Sequence, residues 1–336
     1  MAWGRICRVV VKSPAQQVGD KWEWTETDIA SLDLFFTITR SRVFNDNEAS
    51  VTIYNMTRDT RNRILKRGSN LLIYAGYKDE GEGLMFQGNI VDVVPYSDGA
   101  DSVVEIHALA IRSLSRPFTA TPVAMVYPKG TTADRAVKDL ATALGLVPVG
   151  AENVASLPLD GFAYVGGAGG ALETLSRRLA TANCGLYIDL AELLVYKKGG
   201  ADSTYSVAYL ATDCGLLSAR DTTDYMQAVR TRVDQMSDDL GLTEEGKKDA
   251  LEKDKDRVIY TETTGTEVYS ELDKIFTSQR KTAEARVIIM PKVRPNSLVD
   301  LQAPDVSGLF VVDSMTISGG NTAGSDFSMN LSLVEA

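Results

Sequence analysis

Gly83-Leu84-Met85-Phe86, with Gly99-Ala100-Asp101 sixteen residues after its first glycine, recurs 225 positions later as Gly308-Leu309-Phe310-Val311 with Gly324-Ser325-Asp326. The segments that follow match in phase: Val104, Ile106 and Ala108 against Met329, Leu331 and Leu333. Upstream, Arg67-Gly68-Ser69-Asn70-Leu71 resembles Arg294-Pro295-Asn296-Ser297-Leu298. A glycine-bounded hairpin of equal length in two places predicts a β module present twice. A chain with two similar modules can set them alternately around a ring. Three chains would then show six quasi-equivalent modules under closed symmetry.

The residues around each copy read as antiparallel sheet. Ile6–Val11, Leu32–Thr39, Ala49–Tyr54, Leu71–Tyr77, Met85–Val94 and Val103–Leu109 are short β-branched or alternating runs separated by turn residues. One short helix interrupts them, capped by Thr57, with Ile64 and Leu65 inward, Gly68 at its end and arginines 58, 61, 63 and 67 on its surface. Leu216-Leu217, Val229–Val233, Val287–Met290, Leu298–Leu301, Leu309–Ile317 and Phe327–Val334 give the second set of strands.

Between the two sets the periodicity changes. Thr131 begins a helix with Ala136, Val137, Leu140 and Leu144 on one side and Gly145 at its end. Ala171–Ala182 reads as a second helix, and Leu186–Ile188 with Leu193–Tyr196 as a hairpin. The expected architecture is mainly β (α+β): two tube-like antiparallel β-barrels, 1–115 and 207–336, flanking a small α/β module at 116–206. A charged and helical insertion at about 235–285 interrupts the second barrel. Within it, 237–257 holds 13 charged residues of 21, a solvated excursion or mobile loop. A helix over 266–284 follows, with a Thr264/Glu267 capping box and Val268, Leu272, Ile275 and Phe276 as its apolar stripe.

Composition narrows the function classes. The 336 residues carry a net charge of −10, which disfavours general nucleic-acid binding but suits a conduit through which DNA slides. Cys7, Cys184 and Cys214 are widely spaced, with no CxxC pair, as expected of reduced thiols and assembly in a cytoplasm. No signal peptide and no 18-residue apolar run is visible, so neither export nor membrane insertion is expected.

Catalytic patterns are weak. His107, the one histidine, falls in an alternating strand (Val103-Val104-Glu105-Ile106-His107-Ala108) and reads as a face residue. Gly166-Gly167-Ala168-Gly169-Gly170, with Asp189 placed 22 residues after Gly167, has the outline of a dinucleotide-binding unit, but Leu172 stands where a third small residue belongs. The simpler reading is a loop that starts a helix. Asp238, Asp239, Glu244, Glu245 and Asp249 lack calcium-loop spacing, and neither a P-loop nor an HExxH motif is present. Trp22 and Trp24 read as a hairpin pair. No catalytic, cofactor or metal residue is assigned. A nucleotide-binding enzyme, a cell-wall hydrolase and a carbohydrate- or receptor-binding tail module remain the alternatives.

Several stretches resemble the hub proteins of phage tail baseplates, the late-control protein D-like group related to tail tube proteins. They are Ala49-Ser50-Val51-Thr52-Ile53-Tyr54-Asn55-Met56-Thr57 before the Arg-rich helix, Leu71–Tyr77 ending Ala75-Gly76-Tyr77, Met85-Phe86-Gln87-Gly88-Asn89-Ile90, and Met290-Pro291-Lys292-Val293-Arg294-Pro295-Asn296-Ser297. The resemblance implies a non-enzymatic homotrimer forming a pseudo-hexameric ring. A tail tube or distal tail protein would sit above it, a central spike below and peripheral baseplate proteins outside. A tape measure protein is a further implied contact. DNA would pass through the lumen without specific binding. The implied place is the virion tail baseplate, assembled in the bacterial host cytoplasm.

Overall fold

The computed structural model describes residues 4–13, 16–18, 21–23, 25–29, 31–42, 47–64, 69–79, 81–110, 122–159, 161–197, 207–222, 281–322 and 324–336. β1 (Arg5–Lys12) is followed by the short β2 (Gln16–Val18), β3 (Lys21–Glu23) and β4 (Glu26–Asp28). β5 (Leu34–Ser41) and β6 (Glu48–Tyr54) lead into α1 (Arg58–Ile64), then β7 (Asn70–Tyr77), β8 (Gly81–Asp98) and β9 (Asp101–Leu109). The middle segment holds β10 (Pro122–Val126), α2 (Ala133–Leu144), β11 (Val147–Val149), a 3-10 turn (Ala151–Val154), β12 (Ala163–Gly167), α3 (Ala168–Ala180), β13 (Cys184–Asp189) and β14 (Glu192–Lys197). The chain closes with β15 (Ala208–Ala211), β16 (Leu216–Asp221), β17 (Thr282–Ile288), β18 (Leu298–Gln302), β19 (Ser307–Gly320) and β20 (Ser328–Glu335).

The protein is mainly β. One 13-stranded sheet runs in the order β16-β17-β20-β19-β5-β6-β9-β8-β7-β1-β4, with β18 on β19 and β15 on β18. All its pairings are antiparallel except β15 with β18. Strand alternation explains the layering. Leu34, Phe36 and Ile38 of β5 are buried while Phe35 and Thr37 face out, and Ala283, Ala285 and Val287 of β17 alternate with Thr282, Glu284 and Arg286. Residues from both ends of the chain, from Val9 to Leu333, belong to a single apolar core.

The strand order is duplicated. In the first half, β1, β5, β6, β7, β8 and β9 are arranged β5-β6-β9-β8-β7-β1; in the second, β15 to β20 are arranged β16-β17-β20-β19-β18-β15. Even an irregularity recurs. The ladder of β8 with β9 is bulged between Ile90 and Asp92, and that of β19 with β20 between Val312 and Ser314. The halves differ in their first strand, which pairs antiparallel in β1 and parallel in β15.

The repeat is therefore present, but the 225-residue spacing is its register only in the last strand, where Val104, Ile106 and Ala108 correspond to Met329, Leu331 and Leu333. In the preceding strand Val312 stands where Ile90 does, so Gly308 does not take the place of Gly83. The cause is loop length. Tyr96 is paired with Val103, whereas its counterpart Ser318 is paired with Ser328 across a longer connection.

Among the described residues no sheet closes into a barrel. The two expected barrels give way to two open half-sheets joined at one seam, where Ser314–Gly320 of β19 pairs with Phe35–Ser41 of β5. An edge strand's unpaired groups are satisfied by continuing into the other half rather than by closing on its own half.

The middle module packs α2 and α3 over a core containing Val137, Leu140, Leu172, Leu175 and Ile188. Gly145 caps α2 with φ 70°, where glycine is favoured. α1 begins as the sequence suggests, with the Thr60 N–H donating to Thr57 Oγ1 at 3.2 Å. Leu65, Gly68, Arg67, Trp24, Val229–Val233, the charged stretch 237–257 and the capping box at Thr264 and Glu267 lie outside the described residues. The helix expected over 266–284 cannot reach its stated end, because Thr282 already starts β17.

Candidate assembly surfaces

The residues the sequence offered for chemistry resolve into packing. Gly167 caps α3, which starts three residues earlier than expected and takes in Gly169 and Gly170. The Tyr164 ring lies over Gly166 and Gly170, close enough that a Cβ at either glycine would collide with it, and its hydroxyl donates to the Gly167 carbonyl at 2.8 Å. The glycines make room for a tyrosine. Asp189, the would-be ribose ligand, points instead into the protein. His107 stands on the exposed sheet face, opposite Ser50 and 3.3 Å from Glu105. Cys7, Cys184 and Cys214 are not joined in any disulfide, and among the described residues no group of three or more His, Cys, Asp and Glu could hold a metal. No helix among those residues is long and apolar enough to cross a membrane.

What sequence reading missed is the clamp over the seam. The β13–β14 hairpin reaches from the middle module onto both half-sheets. Arg40 of β5 binds Asp189 through both carboxylate oxygens, with Nε to Oδ1 at 2.9 Å, and each side chain is 1% exposed. The third Arg40 nitrogen, Nη1, donates to the Met85 carbonyl at 3.3 Å. Asn47 donates to the Ile188 carbonyl at 2.8 Å, and the Tyr187 hydroxyl to the Pro295 carbonyl at 3.0 Å. Arg42 pairs with Asp313 across the seam and stacks 5.0 Å from the Tyr196 ring centroid. The signal in the sequence was Arg40 itself, a cation at an inward position of the Leu34–Phe36–Ile38 alternation, which demands a buried partner.

Two surfaces remain for partners. The outer face of the joined sheet is rich in hydroxyls and amides: Asn330, Thr316 and Thr39 form one cross-strand row, and Ser318, Thr37 and Ser50 the next. Its charges are largely matched, Arg220 with Glu284 and Arg286 with Asp326 at 2.8 Å. The second surface is two open strand edges, one on β16 at the end of the run and one on the part of β8 past its pairing with β7. Among the described residues, no strand pairs with the outer side of β8 over Asp92–Asp98 or of β16 over Ser218–Arg220. Exposed apolar side chains mark both: Val94 (39%) and Tyr96 (45%) on β8, Leu217 (54%) on β16.

Residues 6–208 match the family model described as baseplate hub gp41. The chain belongs to this baseplate hub family. Membership gives it a structural role in the phage tail baseplate. Solved structures share the hub's fold. The 43 kDa tail protein of prophage MuSo2 from Shewanella oneidensis is 13% identical, with a TM-score of 0.57 and 98% of each chain covered. A tail protein from Neisseria meningitidis MC58 is 12% identical, with a TM-score of 0.56 over 99% of this chain and 97% of that one. The E. coli c3393 protein, a type VI secretion component described as structurally similar to T4 tail proteins gp27 and gp5, is 10% identical with a TM-score of 0.52, covering 90% and 73%. No curated protein sequence matches the chain.

Proposed function

We propose that three copies of this hub form a pseudo-hexameric ring that joins the tail tube to the central spike and lets DNA pass through its lumen, without catalysis. The observation that carries this reading is the duplicated strand order. One chain supplies two half-sheets of the same topology, side by side in a continuous sheet with an open edge at each end. A tube wall is the natural closure of such a piece. The barrel absent within one chain would be completed between chains, each adding the run from β16 to β8.

The hydroxyl-rich face would line the lumen. Ser, Thr and Asn solvate a passing phosphate backbone without the clustered cations that would hold it. On this face Glu284 and Glu105 have cationic or imidazole neighbours. The middle module, held on the seam by its hairpin, would face the surrounding baseplate proteins.

A phage with the gene for this chain deleted tests the reading. Tails lacking a joined spike, restored by supplying the chain in trans, are the expected result. Infectious particles with normal baseplates in its absence would contradict it.

A further inference from the structure

The seam inside the chain is a template for the seam between chains, and this step rests on the ring reading above. Within the chain, β19 past its bulge lies on β5 with Ser318 opposite Thr37 and Gly320 opposite Phe35. The duplicated topology says which residues hold those places in the other halves. Tyr96 is paired with Val103 as Ser318 is paired with Ser328, so Tyr96 takes the place of Ser318 and Asp98 that of Gly320. Arg220 is paired with Glu284 as Thr37 is paired with Ser50, so Arg220 takes the place of Thr37 and Ser218 that of Phe35. These are the residues of the two edges left without a strand partner among the described residues.

We infer that the Asp92–Asp98 edge of one copy pairs antiparallel with the Ser218–Arg220 edge of a second copy, with Tyr96 opposite Arg220 and Asp98 opposite Ser218. The chemistry of the pair fits. Arg220 is 72% exposed and can lay its guanidinium on the Tyr96 ring, with Asp98 as its diagonal neighbour. Such contacts cover Tyr96 and Val94, apolar groups that otherwise face water.

Pro95 tunes this edge. Hydrogen bonds across the internal seam run from Arg42 N to the Asp313 carbonyl at 3.0 Å and from Asn321 N to the Leu34 carbonyl at 3.3 Å. By that alternation Ile317 directs its N–H at β5, and Pro95 stands where Ile317 does. The copy-to-copy ladder therefore lacks one donor that the internal one has. It is the weaker seam, and the same proline discourages pairing with unrelated strands.

Disulfide trapping tests the register. Tyr96 and Arg220 would meet at a non-hydrogen-bonded position, where Cα atoms approach to about 4.5 Å, within disulfide range. Six strands separate β16 from β8 in the sheet order of one chain, so a bond between them links copies. Tyr96→Cys with Arg220→Cys, in a Cys214→Ser background, should give covalent dimers and trimers on mild oxidation that collapse on reduction. Ser97→Cys with Arg220→Cys, which points one thiol to the opposite face, should not. A trimeric mass in solution without trapping by the first pair, or equal trapping by both pairs, would overturn this register and leave the ring standing. A wild-type chain that stays monomeric would remove the ring and this pairing with it.

Discussion

Arg40 and Asp189, 149 positions apart, form a two-toothed ion pair with both side chains 1% exposed, and it fastens the middle module to the seam between the two half-sheets. Two buried charges are retained here where an apolar contact would cost less desolvation. The pair fixes one orientation of the hairpin against β5, and the neighbouring bonds from Asn47 and Tyr187 agree with it.

Arg40→Met should destabilise the chain by about 3–5 kcal/mol, because Asp189 is left buried without its cation. Arg40→Met with Asp189→Leu should recover much of that loss. Denaturant unfolding of the two variants and the wild type checks this. A double variant as unstable as the single one would show that the pair has no coupled role.

The glycine-rich stretch makes room for Tyr164. Gly170→Ala should destabilise the module by about 1–3 kcal/mol through overpacking against that ring, and Tyr164→Phe in the same background should return part of it. Thermal unfolding reads both, and an unchanged midpoint for Gly170→Ala would contradict the account.

The three thiols should separate by reactivity. Cys214 is exposed, Cys184 buried, and burial, aided by Asp28, pushes the Cys7 thiol up to about 12. Alkylation of the native protein at pH 8 should modify Cys214 first and leave Cys7 and Cys184 until unfolding. Peptide mapping by mass spectrometry gives the order. Early labelling of Cys7 would contradict the packing of β1.

Asp134, in the first turn of α2, is held below the usual carboxylate range by the Thr132 hydroxyl and then by Lys138. A carboxylate lowered on folding contributes stability above its unfolded value and loses it as pH falls through its folded one. Asp134→Asn should therefore cost no more than about 0.3–1 kcal/mol at pH 7, given its exposure. That difference should begin to shrink below about pH 4, the unperturbed range, and vanish as pH falls through the lowered folded value. A difference that does not shrink at all as pH falls below that range would assign the effect to something other than charge.

The alternating runs were legible because half-buried strands carry period two in their side chains: Leu34, Phe36 and Ile38, or Val104, Ile106 and Ala108, are found inward as that pattern requires. The duplication was legible too, though equal spacing of glycines misplaced one strand, since loop length is free to vary while paired strands are not. What the pattern could not carry was pairing between distant strands. Nothing local in Thr37 or Ser318 says that they face each other, and Asp189 looks the same in a nucleotide fingerprint as in a buried ion pair. The assembly edges were hidden for the same reason, because an edge is defined by the absence of a neighbour in space. Leu217 and Val94 read as ordinary strand apolars, and Tyr96 lies just past its run, until the pairing leaves them on open strand edges.

Native mass spectrometry of the intact chain tests the ring most directly. The account predicts a species of three 36.4 kDa subunits that survives dilution and is weakened by Tyr96→Asp together with Arg220→Glu. A monomer that persists at high concentration, with no trimer at any dilution, would contradict it.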